Sequence, residues 1–330
     1  MAAWDGFVDA AVDGTIMHRY GWKAVLERAY GLRTEYLSAW SGGTLRGVLP
    51  LVLVRGVLGG GAFVSMPFMD YGGACTNGDD DAEQALLEAA TALAAREGRP
   101  VSFRYLRPPR TELPCSKEKV TMFLELGNDE AALWRRLPSE RRNRINKGRK
   151  LGLVAEFPGA AALDDFYTVY ATNMRDLGSP PHSRRFFADV LAGLPGRSQL
   201  IIVRDGGRAV GAGLMLVHAG VLSMPWVSSL REFFSRCPNQ VLYWEVMRWG
   251  LAHDIRVLDF GRSSWHSGSF EAKRQWGAAP VQLHWHYSPA DAQPPGAELA
   301  GLQWATTVWR HLPVVISNAI GARIRRTLPN

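Results

Sequence analysis

The sequence predicts an α/β protein built of two units, each a mixed sheet flanked by helices, followed by a helical tail. Three observations predict it. The chain has 330 residues, the length of two ordinary domains. Short apolar runs bounded by glycine turns alternate with stretches of helical periodicity. Residues 200–227 read as three strands in meander order directly after two helices, so the element types are interleaved. With 47% hydrophobic and 21% charged residues, such a chain can bury a sizeable core.

In order, Trp22, Leu26 and Ala29 recur at helical spacing. Residues 36–40 and 45–54 then read as a hairpin around Ser41-Gly42-Gly43, whose glycines supply the positive φ of a tight turn. A short strand at 62–65 leads into Met66-Pro-Phe-Met-Asp-Tyr-Gly-Gly73, a loop that combines an acid, a phenol and two glycines. The acids Asp79, Asp80 and Asp81 open a helix, where they suit its dipole. Strands follow at 101–106 and 120–126, and the first unit is expected over residues 1–127.

Residues 135–150 hold eight bases (Arg135, Arg136, Arg141, Arg142, Arg144, Lys147, Arg149 and Lys150) against Glu140 alone. Helical spacing puts Arg141 and Arg144 near one face, a stripe suited to neutralising phosphates. Helices at 163–174 and 183–194, with prolines between them, precede the meander. A helix over 241–253 leads to a strand beginning at Val257. The second unit is expected over 128–288, and a linker and helical tail over 289–330. That tail carries Trp304, Trp309, Ile316 and Ile320 beside Arg310, Arg323 and Arg325, a composition that packs on the protein or rests at a membrane interface.

Composition and motif spacing also bound the function. A net charge of +7 favours anionic partners. The chain shows no helix-turn-helix or finger spacing, so sequence-specific DNA binding is not expected. Cys75, Cys115 and Cys237 are too far apart for a disulfide framework or a zinc site, and no metal is expected. Without a signal peptide or an apolar run long enough to span a bilayer, the expected location is cytoplasmic.

The chemistry concentrates after Val257. A buried strand turns polar at Asp259-Phe-Gly-Arg-Ser263, where Gly261 allows close backbone approach and Arg262 offers a five-donor fork. With Gly268-Ser-Phe270 and Lys273-Arg-Gln-Trp-Gly277, this segment resembles the D-F-G-R-S and G-x-F-x-F-K-x-x-W-G motifs of FemAB-like proteins in the GNAT acyltransferase superfamily. It is most similar to those associated with exosortase and PEP-CTERM systems. The resemblance runs from about Tyr20 to Tyr287, and includes Tyr20-Gly-Trp22, Gly47-Val-Leu-Pro-Leu51, Leu177-Gly-Ser-Pro180 and Tyr243-Trp244. Position 272 departs from it, holding alanine where the motif has an aromatic residue.

That resemblance implies two GNAT-like domains and transfer of an acyl or aminoacyl group to an amine of a cell-envelope or exopolysaccharide precursor. Acyl-coenzyme A or aminoacyl-tRNA would be the co-substrate, and no cofactor would be tightly bound. Lys273 would stabilise the developing oxyanion, and Asp70 would accept the amine's proton. Arg262, Ser263, Tyr243, Tyr71 and Trp276 would hold substrate, with Asp259 orienting Arg262, while Arg141, Arg142 and Arg144 would bind a phosphate-bearing precursor or tRNA. Many GNAT enzymes cradle the pyrophosphate of coenzyme A on a glycine-containing loop at a helix start. Here Ser235-Arg-Cys-Pro-Asn-Gln240 stands in its place, with no glycine and a proline that has no amide to give. A non-catalytic scaffold of the same fold, binding envelope precursors or assembly proteins, is the alternative.

Overall fold

The computed structural model describes residues 1–56, 60–289 and 303–328. Most of the linker expected at 288–296 and the side chain of Trp304 lie outside the described residues. Two mixed sheets organise the rest. The first has six strands in the order Arg33–Ser41, Thr44–Val54, Ala62–Ser65, Val101–Tyr105, His284–Ser288 and Cys115–Ser116. The second has seven, in the order Ala279–Gln282, Lys119–Glu125, Val257–Ser264, Val221–Ser229, Arg208–His218, Ser198–Asp205 and Val154–Glu156.

Local chemistry accounts for the elements. The hairpin turns on Gly42 and Gly43, both with positive φ (56° and 76°). The helix Asp80–Arg96 is capped by the Asp79 carboxylate, which accepts from the amide of Ala82. The helices Leu163–Leu177 and Arg184–Gly193 cover one face of the second sheet, and Pro238–Ala252 covers the other.

The sheets exchange strands. Lys119–Glu125, which the sequence assigns to the first unit, pairs instead with Val257–Ser264 in the second sheet. His284–Ser288 returns to pair with Val101–Tyr105 in the first. An apolar strand records how much of it is buried, but not which open sheet edge receives it. One aromatic core then joins the halves, with Tyr30 and Phe68 from the first meeting His182, Phe186 and Trp226 from the second.

The basic helix is Ser139–Lys150, and its inward face is Arg141, Ile145 and Gly148. Gly148 is there for space: a Cβ would come within 2.5 Å of Val241 on the helix Pro238–Ala252. No helix among the described residues is long and apolar enough to cross a membrane. The tail helices Gln303–Arg310 and Val314–Arg325 lie against Leu163–Leu177, where Arg175 donates to the Leu312 carbonyl at 3.0 Å. Val308, Val315, Ile316 and Ile320 on their outer face remain exposed.

Candidate functional site

The site forms where two parallel strands part. Val221–Ser229 and Val257–Ser264 pair only from Val221/Val257 to Ser223/Asp259. At that level both are irregular, the first shifting register between Ser223 and Trp226 against its other neighbour, the second between Asp259 and Arg262. Gly261, at φ 77°, makes the turn and leaves room for Asp70, whose Oδ2 lies 3.4 Å from where a Cβ would stand. A wedge-shaped cavity of about 240 Å³ opens between the strands, with Asp70, Met224, Trp226, Arg262 and Lys273 among its walls.

The loop from Ser65 supplies Asp70 under strain. Met66 and Phe68 both hold positive φ (51° and 69°) while buried, an uncommon state for large side chains that packing must enforce. Asp70 Oδ2 accepts from the Arg262 amide at 2.8 Å, and its Oδ1 lies 3.5 Å from the Arg262 guanidinium. Trp285, on the returning strand, donates its indole N–H to the Asp70 carbonyl and lies between two guanidiniums, Arg104 at 4.5 Å and Arg262 at 5.1 Å. Burial, with Arg262 nearby, pushes the pKa of Arg104 down.

Asp259 has another task than the one expected. It is Asp70 that orients Arg262, while Asp259 is buried and accepts from Thr121, from the Gly261 amide at 2.8 Å and from the Tyr71 hydroxyl at 2.8 Å. Burial raises the pKa of Asp259 and, with the neighbouring carboxyl, that of Tyr71. This buried cluster fixes the strand end. It also separates the wedge from a second cavity of about 380 Å³ behind Tyr71.

Lys273 reaches the wedge from the helix Gly268–Arg274. Its ammonium donates to the carbonyls of Gly261 (2.9 Å) and Arg262 (2.8 Å), which leaves one of its three protons for a ligand. Burial lowers its pKa, and Asp70 and Asp259 oppose that.

Other expected residues lie apart from the wedge. Ser263 is buried and accepts from Ser269 at 3.1 Å, tying the helix to the strand. Tyr243 packs on Phe260 and Trp276, with ring centroids 4.9 and 5.6 Å away, and burial raises its pKa. Trp276 is core, with the Arg141 guanidinium 5.5 Å from its ring. The arginine stripe is divided: Arg141 turns inward and bonds Gln275, and Arg142 donates to the carbonyls of Trp134, Arg135 and Leu137 at the end of the preceding helix. Arg144 is exposed and paired with Glu140 at 2.8 Å. The spacing fits a stripe, but a guanidinium can also be consumed by an aromatic face or by helix-end carbonyls.

The start of the helix Pro238–Ala252 fits a pyrophosphate poorly. Pro238 is its first residue, Cys237 before it is left-handed (φ 65°), and Arg236 is paired with Asp205 at 2.6 Å. Sequence reasoning missed Arg104, Trp285 and Arg325, all close to Asp70 or in the wedge wall; only the aromatic residue between two basic ones in space links the first two, and no linear pattern shows it.

Comparison with known proteins places this geometry in a fold. Residues 138–274 match the acetyltransferase (GNAT) domain family. The chain is similar in structure to FemX (TM-score 0.65, 13% identity, 86% of this chain and 95% of that one). It is also similar to the C-terminal domain of a putative lysylphosphatidylglycerol synthetase from Agrobacterium fabrum (TM-score 0.61, 12% identity, 88% and 92%). A tandem GNAT protein from the clavulanic acid biosynthesis pathway gives a TM-score of 0.55 at 12% identity over 88% and 95%. At these identities the likeness is one of fold, and the protein has a GNAT-like two-domain architecture with a C-terminal helix. No curated protein matches it in sequence.

Proposed function

We propose that this protein transfers an acyl group, aminoacyl or other, to an amine of a phosphate-bearing cell-envelope or exopolysaccharide precursor. The observation that carries the reading is the wedge itself: strands that part beside Gly261, with Lys273, Arg262 and Asp70 brought to one cavity from three separate elements. The GNAT domain match over residues 138–274 supports the reaction class, because it spans that wedge's strands and Lys273. The Gly-Lys-Trp signature after Asp259, which resembles PEP-CTERM-associated FemAB-like proteins, supports the acceptor class.

Chemically, the neutral amine attacks the carbonyl carbon, a C–N bond forms, and the carbonyl electron pair moves to oxygen. The remaining Lys273 proton is the donor for that oxygen. Collapse breaks the bond to the donor's sulfur or ribose oxygen, and Asp70, which accepts the proton that the amine loses, passes it to that leaving atom.

Acyl-coenzyme A and aminoacyl-tRNA are both donors in this reading, and the poor phosphate cradle at Pro238 favours the second. A thermal-shift panel tests it, since a ligand of the folded state raises Tm by mass action. Aminoacyl-tRNA is expected to raise Tm more than acetyl- or long-chain acyl-coenzyme A at equal saturation. No response to any of the three would replace the enzyme by a non-catalytic scaffold.

The tail extends the reading to the membrane surface. Val315, Ile316 and Ile320, with Arg323 and Arg326 beside them, form an outward apolar face with a basic margin, as an interfacial helix has. Sedimentation with phosphatidylglycerol vesicles is expected to carry the protein down. The double substitution Ile316→Asp, Ile320→Asp should weaken this by roughly tenfold or more, each side chain contributing about 1.5–3 kcal/mol of apolar burial. Equal sedimentation of the variant would remove the tail's face from the account.

A further inference from the structure

We infer that the wedge binds a phosphate-type anion between Arg262 and Arg325, so that the C-terminal helix is a wall of the site. The inference deepens the proposed function, because it assigns the acceptor's phosphate to this pocket and not to the basic helix.

The helix is seated firmly enough to build a wall. A Cβ on Gly321 would come within 2.4 Å of Pro181, and one on Gly178 would come as close to Thr306, so both contacts are backbone-close. Arg310 donates to the Leu177 carbonyl at 3.4 Å, beside the Arg175 bond to Leu312. This docking turns Arg325 inward while Arg323 and Arg326, on the same turn, stay exposed.

Inside, Arg325 Nε donates to His182 Nε2 at 3.0 Å, and its guanidinium lies 5.8 Å from the Phe68 ring. His182 Nδ1 therefore carries the imidazole proton and donates it to the Tyr30 oxygen at 2.6 Å. No carboxylate among the described residues pairs with Arg325; burial lowers its pKa, and Arg262 adds to that. The charge balance of the wall is positive. Arg262, Lys273 and Arg325 face it, against Asp70, which is held by Arg262, and Asp259, whose oxygens already accept from Tyr71, Thr121 and Gly261.

Arg325 is half-buried, and a guanidinium there that no carboxylate pairs with gains from an anion. Two guanidinium forks match the several oxygens of a phosphate better than they match a single neutral carbonyl, and the remaining Lys273 proton stays with the acyl oxygen. Met17, Phe68, Met174 and Trp226 line the rest of the cavity, so a phosphate with an apolar or ring-bearing neighbour fits it. Such a group belongs to a lipid headgroup or to a soluble phosphoester.

The test is calorimetric binding to the full chain, without any acyl donor, of glycerol 3-phosphate and, separately, of dihexanoyl phosphatidylglycerol below its micelle concentration. Binding of at least one probe is expected, and the probe that binds names the source. Arg325→Met, which keeps the stem's packing, should weaken it at least tenfold, and Arg325→Lys by less. Arg185→Ala, which removes one charge from an exposed helix face, should leave it unchanged. If neither probe binds the wild type, or if Arg325→Met binds as tightly, the inference is overturned. Should Arg325→Met lose its cooperative melting, the Arg325→Lys comparison decides: affinity equal to wild type in both Arg325→Lys and Arg185→Ala is the contrary result. Because no donor is present, failure here leaves acyl transfer standing, and phosphate binding without a donor response would do the reverse.

Discussion

Lys273→Ala is expected to lower kcat by roughly 10²–10³, the usual cost of removing one oxyanion donor. The magnitude follows from where the ammonium sits. It is partly buried at the wedge, fixed by two carbonyls at 2.9 and 2.8 Å, and so keeps its third proton aimed without reorganisation. The same two bonds predict a second effect that the sequence did not suggest. Their loss frees the Gly261 and Arg262 carbonyls inside the wedge, at a cost on the order of 2 kcal/mol, so Tm should fall as well. Rates measured with a donor that stabilises the protein, beside melting curves, separate the two. A variant that melts lower but turns over at the wild-type rate would make Lys273 a brace for the strand end only.

Acid should unfold the protein over an unusually mild range. His18 and His218 are buried and neutral, and burial pushes both down to about 4. Bonding agrees for His18, whose Nδ1 accepts from the Thr15 amide at 3.1 Å while Nε2 donates to the Gly73 carbonyl. A histidine whose folded pKa lies below its unfolded value of 6.5 binds protons preferentially when unfolded, so its contribution is present above pH 6.5 and is lost as pH falls towards 4. At pH 5 each of the two then costs about 2 kcal/mol relative to neutral pH. His182, lowered further by burial and by Arg325, adds to the loss. Urea unfolding at pH 7 and pH 5 should differ by roughly 4 kcal/mol or more, with the His18→Gln, His218→Gln double variant much less sensitive. Equal stability at the two pH values would mean that these rings are not held neutral.

Much of the architecture was legible because local signals were strong where they were used. The Gly42-Gly43 turn, the Asp79 cap and the two helices before the meander each rest on residues near in sequence. The change at the strand end was legible too, since a strand that is apolar at Val257 and Leu258 and polar from Asp259 onward, Phe260 apart, marks a site, although Asp259, Gly261 and Ser263 stay buried. What escaped is set by contacts between distant segments. The pairing of Lys119–Glu125 with Val257–Ser264 depends on a register that both strands' apolar residues allow in either sheet. Arg141 reads as one more surface base until Trp276 and Gln275 meet it. Trp285 and Arg325 enter the site from the returning strand and the tail, about 25 and 60 residues beyond the strand that carries Arg262, with nothing in the intervening sequence to tie them there.

Amide hydrogen exchange with and without aminoacyl-tRNA, repeated with acetyl-coenzyme A, would test most directly that the wedge is where the donor reacts. The account predicts that a stabilising donor slows exchange at the parted strand ends, residues 224–229 and 260–264, and in the helix Gly268–Arg274 that brings Lys273 to them. Protection confined to the cavity behind Tyr71, around residues 13–18 and 105–110, would contradict it and move the reaction to the other side of the Tyr71–Asp259 wall.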